Sequence, residues 1–243
     1  MRVRHGQDTR RGPFSVTMLS PQITIFTGRF GSGKTEIALN YALALADRGS
    51  KPLLVDLDIV TPYFRTREKA MEMSQYGVQV VTPFQVGQHI DIPAINPAIL
   101  GAFEQSERPV VVDLGGDMQG ARALSQYAAV ITHHAHEMCF VVNPYRPFMD
   151  KVNGIVSAVR EIETIARLQV SSLVSNPNMM SSSTPALFWQ GHAKVKAAAQ
   201  VLELPVSLLV MSEALAQTMD RPDDPVLVIH RFFLMFDTVQ KQD

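Results

Sequence analysis

The stretch Gly28-Arg29-Phe30-Gly31-Ser32-Gly33-Lys34-Thr35 stands between two apolar patterns of different period. Before it lies the continuous apolar run Ile23-Thr24-Ile25-Phe26-Thr27, which reads as a buried strand. After it Ile37, Ala38, Tyr41, Ala42 and Leu45 recur at helical spacing. A strand therefore enters a glycine-rich turn and a helix leaves it. That context turns a G-x-x-x-x-G-K-T string into a phosphate-binding loop. Gly28, Gly31 and Gly33 let the backbone curl until its N–H groups converge on one point. The helix adds its unpaired N-terminal donors and the positive end of its dipole. In such a loop Lys34 reaches the terminal phosphates and the Thr35 hydroxyl holds Mg²⁺. The competing account, a chance glycine-rich turn, does not explain why strand, loop and helix agree.

Working outward, apolar strands and helical patterns alternate. Strands are expected near 52–57, 78–82, 110–114, 138–142, 170–174 and 206–210, with helices near 33–47, 97–106, 118–128, 147–166 and 185–202. A short helix is expected to end at Tyr76, before Gly77. Val130-Ile131 is apolar without a clear type, and Val226 to Phe236 is ambiguous between strand and helix. The alternation predicts an α/β fold: a doubly wound, mostly parallel sheet in a three-layer sandwich of P-loop NTPase type. Residues 1–20 read as a basic N-terminal arm with a possible edge strand at Ser15 to Leu19, and residues 21–243 as one nucleotide-binding domain.

Composition narrows the function. A chain of 243 residues can bury a large core. A formal net charge of -1 gives no support for broad electrostatic binding of nucleic acid. The single cysteine, Cys139, lies in an apolar run and reads as a small core residue. No apolar stretch is long enough to span a bilayer, and the basic first twenty residues lack a signal-peptide core. A cytoplasmic setting is the expectation, with no strong sign of nucleic-acid or membrane partners.

In a doubly wound sheet, ligands sit at the carboxyl ends of the strands. Gly28, Asp58, Gly115, Asn143 and Asn176 all fall at such ends. Asp113 closes the run Val110-Val111-Val112-Asp113, where a nucleotide-hydrolysing site places a carboxylate near Mg²⁺. Gly115 and Gly116 can bring backbone N–H groups toward a terminal phosphate. Asp117 could orient water or a switch loop. Asp56 and Asp58 share one face of their strand. Asp58, nearer the rim, is the better general base or metal ligand; solvated strand-end carboxylates are the plainer account. His133, His134 and His136 crowd one loop, but no regular ligand spacing accompanies them, so a polar loop is preferred to a zinc site. Pro62 to Glu68, with Tyr63, Arg65 and Arg67, and the irregular segment Pro83 to Pro97 are candidates to hold a second, anionic substrate.

These motifs resemble the deviant-Walker-A P-loop ATPases: the MinD and ParA group, the Mrp carriers, nitrogenase iron protein and the CobQ/CobB-type domains. The resemblance runs from about Pro21 to Met219. The family's G-K-G-G-x-G-K-T is similar to Gly28 to Thr35, its D-x-D to Asp56-Leu57-Asp58, its D-x-G-G segment to Asp113-Leu114-Gly115-Gly116, and its V-x-x-P step to Val141-Val142-Asn143-Pro144. Asn176, in Val174-Ser175-Asn176-Pro177, matches the asparagine that reads adenine. The signature lysine that reaches a partner subunit's ATP is Arg29 here, and the neighbouring glycine is Phe30. Arginine keeps the charge and adds a planar fork, but Phe30 adds bulk where the family pairs closely. No C-x-x-C accompanies the match, so iron–sulfur binding is not implied.

The resemblance implies a protein that binds ATP and Mg²⁺ and hydrolyses ATP as a conformational switch. Catalysis would rest on Lys34, Asp58, Asp113 and Arg29, with the metal on Thr35, Asp58 and Asp113. Nucleotide contacts would come from Gly28 to Thr35, Gly115, Gly116 and Asn176. An ATP-dependent homodimer and an unidentified protein or small-molecule partner are the partners implied. Two alternatives stay open: an ATP-dependent synthetase or kinase of the CobQ/dethiobiotin-synthetase type, and a nucleotide-dependent scaffold with negligible turnover.

Overall fold

The computed structural model describes residues 21–58, 67–82, 96–104, 107–220 and 222–232. The basic arm with its possible edge strand, the loop at 59–66, most of the irregular segment at 83–95 and the apolar residues beyond Phe232 lie outside the described residues.

Five strands are buried along all or most of their length and have cover on both faces. They are β1 (Ile23–Thr27), β2 (Leu53–Leu57), β4 (Val110–Leu114), β5 (His136–Val142) and β6 (Ser172–Ser175). With β3 (Gln79–Val81), β7 (Val206–Ser212) and β8 (Val226–Ile229) they form one sheet in the order β3-β2-β4-β1-β5-β6-β7-β8. Every pairing is parallel. The ambiguous stretch after Pro225 is thus a strand for its first four residues.

Alternation along each strand splits the core in two. Ile23, Ile25, Leu53, Val55, Val110, Val112, Phe140 and Val142 face one layer. That layer contains α3 (Pro97–Glu104), α4 (Met118–Ser125), α5 (Ala128–Ile131), α6 (Val152–Ala166) and α7 (Pro185–Leu202). Phe26, Leu54, Val111, Cys139 and Val141 face the opposite layer, with α1 (Lys34–Ala46) and α2 (Arg67–Gln75). A third, smaller cluster joins Phe188, Leu209 and Met211 to α8 (Glu213–Ala216). Val130-Ile131, which has no clear type in the sequence, is helical because Ile131 caps the first core layer from α5.

The sheet order decides what meets at the rim. β1 lies between β4 and β5, so its loop is flanked by the carboxyl ends of Val110–Leu114 and His136–Val142. β2 is next to β4 in a register that sets Asp56 beside Asp113. β6 follows β5 and brings Asn176 to the same edge, where its N–H donates to Val142 O at 2.9 Å.

Candidate functional site

The glycine-rich loop adopts the curl its composition predicts. Gly28, Gly31 and Gly33 have φ of 152°, 74° and 92°, and the last two lie in the left-handed region that side chains avoid. Close packing also demands glycine. A Cβ at Gly28 would stand 2.4 Å from Val141 O, and one at Gly33 would stand 2.4 Å from Asn176 Nδ2. Gly116 is pressed so tightly on the loop that a Cβ there would meet Gly28 O at 1.8 Å. The segment after β4 therefore lies directly against the loop after β1. Gly33 is also the N-cap of α1, with no side chain to cap it. The first N–H groups of a thirteen-residue helix remain available to an anion.

Lys34 and Asp58 form a buried ion pair with Nζ and Oδ2 2.8 Å apart. Burial works against the lysine's charge, but Asp113 and Asp58 outweigh it and its pKa is raised. The Asp58 N–H donates to Asp56 Oδ1 at 3.1 Å, which ties the two acids of the D-x-D together.

Asp113 is the least satisfied of these acids. It is 2% exposed, and neither of its carboxylate oxygens has a partner in good hydrogen-bond geometry, the Thr35 hydroxyl being the donor that approaches it. Burial raises its pKa to about 6, against the pull of Lys34 and the nearby Thr35 hydroxyl; Asp58 adds to the rise. The Ser32 hydroxyl in the loop and the Thr27 hydroxyl at the end of β1 are also buried without partners. Buried polar groups are almost always satisfied. Their concentration around one glycine-rich loop marks a place that something polar completes.

A divalent cation of the Mg²⁺ class fits this set. Asp113 offers two oxygens in a buried position, and Thr35, half-buried, offers a hydroxyl beside it. Among the described residues no three His, Cys, Asp or Glu side chains gather to hold a metal alone. Mg²⁺ does not need them, because it takes most of its ligands from phosphate oxygens and water.

Other residues singled out in the sequence have the following places in the structure. Asn176 is buried, and its Nδ2 donates to Ser32 O at 2.7 Å, bracing the loop while leaving Oδ1 and a second N–H. Arg29 pairs with Glu161 of α6. Phe30 is 81% exposed at the loop's crown. Asp117 caps α4 by accepting from Gly120 N at 2.8 Å. His134 and His136 make loop contacts, Nδ1 to Gln22 Oε1 at 3.2 Å and Nδ1 to His134 O at 2.9 Å. Tyr63 and Arg65, candidates for a second substrate, lie outside the described residues.

Two features escaped the sequence. Arg146, three residues past Asn143, donates from Nε to Gly31 O at 2.9 Å. No spacing rule singles it out, because the contact spans 115 positions. An open cavity of about 640 Å³ also lies on this rim beyond β6, β7 and β8, with Ser183, Thr184, Ser212, Glu213, Ile229 and Arg231 in its wall. Its residues come from three segments, those that follow β6, β7 and β8.

No family model and no curated protein matches this chain. Solved structures do match in fold. The chain is similar to the cell division protein FtsY of Thermotoga maritima, with 18% identity over 89% of this chain and 70% of that one, at a TM-score of 0.56. It is similar to the chloroplast FtsY of Physcomitrella patens, with 16% identity over 81% and 60%, at 0.52. It is also similar to the signal recognition particle 54 kDa protein of Aeropyrum pernix K1 in complex with GDP, with 19% identity over 83% and 42%, at 0.52. The chain thus spans less than two thirds of the length of the latter two proteins. At these identities the likeness is one of fold, and the fold is that of the P-loop NTPases.

Proposed function

We propose that this chain binds ATP with Mg²⁺ at the Gly28–Thr35 loop and hydrolyses it as a conformational switch. The observation that carries this reading is Asp113, a fully buried carboxylate without a well-formed hydrogen bond beside Lys34 and Thr35. Its desolvation is hard to account for unless a cation completes it. Thr35, Asp58 and Asp113 are the residues that would hold Mg²⁺, which when bound neutralises phosphate charge. Loop amides from Gly28 to Thr35, the start of α1 and the Gly115-Gly116 segment would surround the phosphates. The Lys34 ammonium would leave Asp58 for the terminal phosphate and absorb charge there. Asp58, released, is the base candidate for water that attacks the terminal phosphorus and leaves ADP and phosphate. The nucleoside half suits the 640 Å³ cavity, which is within the usual size of small-molecule sites.

The residues quoted for the deviant-Walker-A resemblance support the ATPase reading, and the domain proposed for it is residues 21–243. Arg29 acting across an ATP-dependent homodimer belongs to the same reading. In the single chain Glu161 is its partner, and pairing of subunits would require exchange of that contact.

A guanine nucleotide is the second reading, favoured by Glu213. Glu213 lines the cavity, its carboxylate lies 3.0 Å from His230 Nδ1, and a carboxylate accepts from both N–H donors on guanine's edge. The Aeropyrum protein of similar fold is in complex with GDP. Adenine is favoured by Asn176, which lies on the loop and not in the cavity wall; a base turned toward the loop would meet its Oδ1 and remaining N–H, which suit N6 and N7.

Calorimetric titration with nonhydrolysable ATP and GTP analogues, with and without Mg²⁺, and phosphate release test the proposal together. Mg²⁺-dependent binding that Lys34→Ala abolishes, with the variant's circular dichroism unchanged, is the expected result. Equal binding by wild type and Lys34→Ala would overturn it.

A further inference from the structure

Three cations touch the crown of the glycine-rich loop among the described residues. Lys34 is neutralised by Asp58 at 2.8 Å, and Arg29 by Glu161. Arg146 has no carboxylate partner among the described residues. Its Nε is spent on Gly31 O, and among the described residues neither Nη group has a partner. The guanidinium lies close to the bare α-carbon of Gly31. A Cβ there would stand 3.1 Å from Arg146 Nε and 3.4 Å from Cζ, at a φ of 74°. Gly31 is thus needed twice, for its own backbone and for the arginine above it.

The backbone under Arg146 is fixed. Its N–H donates to Asn143 O at 3.1 Å, and its carbonyl accepts from Met149 N at 3.0 Å. The Asn143 side chain accepts from Tyr145 N and donates to Asn178 O, which locks this turn to the loop after β6. The Tyr145 hydroxyl donates to Leu187 O on α7. Met149 is buried at the other end of the turn. An exposed arginine normally samples many rotamers. This one is anchored at its backbone and at Nε, with the donor fork left open.

We propose that Arg146 is a binding residue for the nucleotide's polyphosphate, supplying the cation that Lys34 and Arg29 do not offer while paired. This rests on the nucleotide reading above. A polyphosphate on the loop brings several negative charges, and a planar fork with fixed orientation suits paired phosphate oxygens. The competing role is a brace that merely holds the loop's shape through Gly31 O.

Arg146→Gln separates the two roles. The glutamine amide nitrogen occupies the place of Nε and can still donate to Gly31 O, but the charge and the fork are gone. Calorimetry of the full chain with a nonhydrolysable ATP analogue and with ADP, both with Mg²⁺, is the test. Charge-assisted bonds of this kind correspond to a loss of roughly tenfold or more in affinity. Arg146→Gln is expected to weaken the triphosphate analogue by about tenfold and ADP by much less, with an unchanged melting temperature in the absence of ligand. Arg146→Lys, which keeps the charge without the fork, is expected to fall between. Wild-type affinity in Arg146→Gln for the triphosphate would overturn the assignment and leave a brace, with the nucleotide reading intact. No nucleotide binding by the wild-type chain would overturn both.

Discussion

Asp113→Asn should stabilise the ligand-free protein at pH 8 while removing the Mg²⁺-dependent response to nucleotide. The fold raises this carboxyl's pKa from 3.8 to about 6, with burial as the main cause and Lys34 in opposition. Each unit corresponds to about 1.4 kcal/mol, so holding Asp113 ionised costs the folded state about 3 kcal/mol above neutral pH. The sign follows from proton counting. Between pH 4 and 6 the folded chain holds this proton and the unfolded chain does not, so Asp113 makes stability fall as pH rises through that window. The asparagine variant escapes that penalty, but it buries an amide whose own unmet bonds cost about 1–3 kcal/mol. A net gain of up to about 2 kcal/mol remains, and in a chain of this size it corresponds to a melting temperature higher by up to about 8 °C. Thermal melts of both proteins from pH 5 to pH 8 without nucleotide provide the assay. The gap should be widest at pH 8 and close as pH falls through 6. Added nucleotide with Mg²⁺ should raise the wild-type midpoint by mass action and leave the variant's nearly unmoved. A variant that melts below wild type at pH 8, or a gap that ignores pH, would refute the reasoning. It would mean that the Asp113 carboxylate is well satisfied in the native protein.

Without Mg²⁺, Asp58→Asn should bind nonhydrolysable nucleotide more tightly than wild type, by about tenfold, because Lys34 no longer has an anionic partner to leave; with Mg²⁺ its phosphate release should slow, and unchanged metal-free affinity in a titration would count against Asp58 as a competitor for Lys34. Gly116→Ala should lower the melting temperature, since its Cβ would overlap Gly28 O at 1.8 Å and backbone cannot swing aside; overpacking of this kind costs about 1–3 kcal/mol, and a wild-type melt would contradict the close contact. With Arg29 acting in trans, ATP and Mg²⁺ should raise the mass seen by light scattering in an Asp58→Ala background. Arg29→Ala should abolish the larger species, and a constant mass would return Arg29 to its local pair with Glu161.

The sequence by itself determined what depends on neighbours in the chain. Strand, glycine turn and helix around Gly28 to Thr35 are local, and so is the run of valines that ends in Asp113. Apolar runs without alternation marked strands covered on both faces, which is why β1, β2 and β4 were legible to within a residue. The ends of β8 and the type of Val130-Ile131 were not legible, because a four-residue apolar run suits a strand or a helix equally until a packing partner chooses. Only the tertiary structure decided which distant groups meet. Lys34 closes on Asp58, Asn176 on Ser32 O, Arg29 on Glu161 and Arg146 on Gly31 O, across 24, 144, 132 and 115 positions. Periodicity fixes the face a residue occupies and says nothing about strand order. Placing β1 between β4 and β5 sets these groups on one rim, and that order comes from how the helical crossovers pack on the two faces of the sheet.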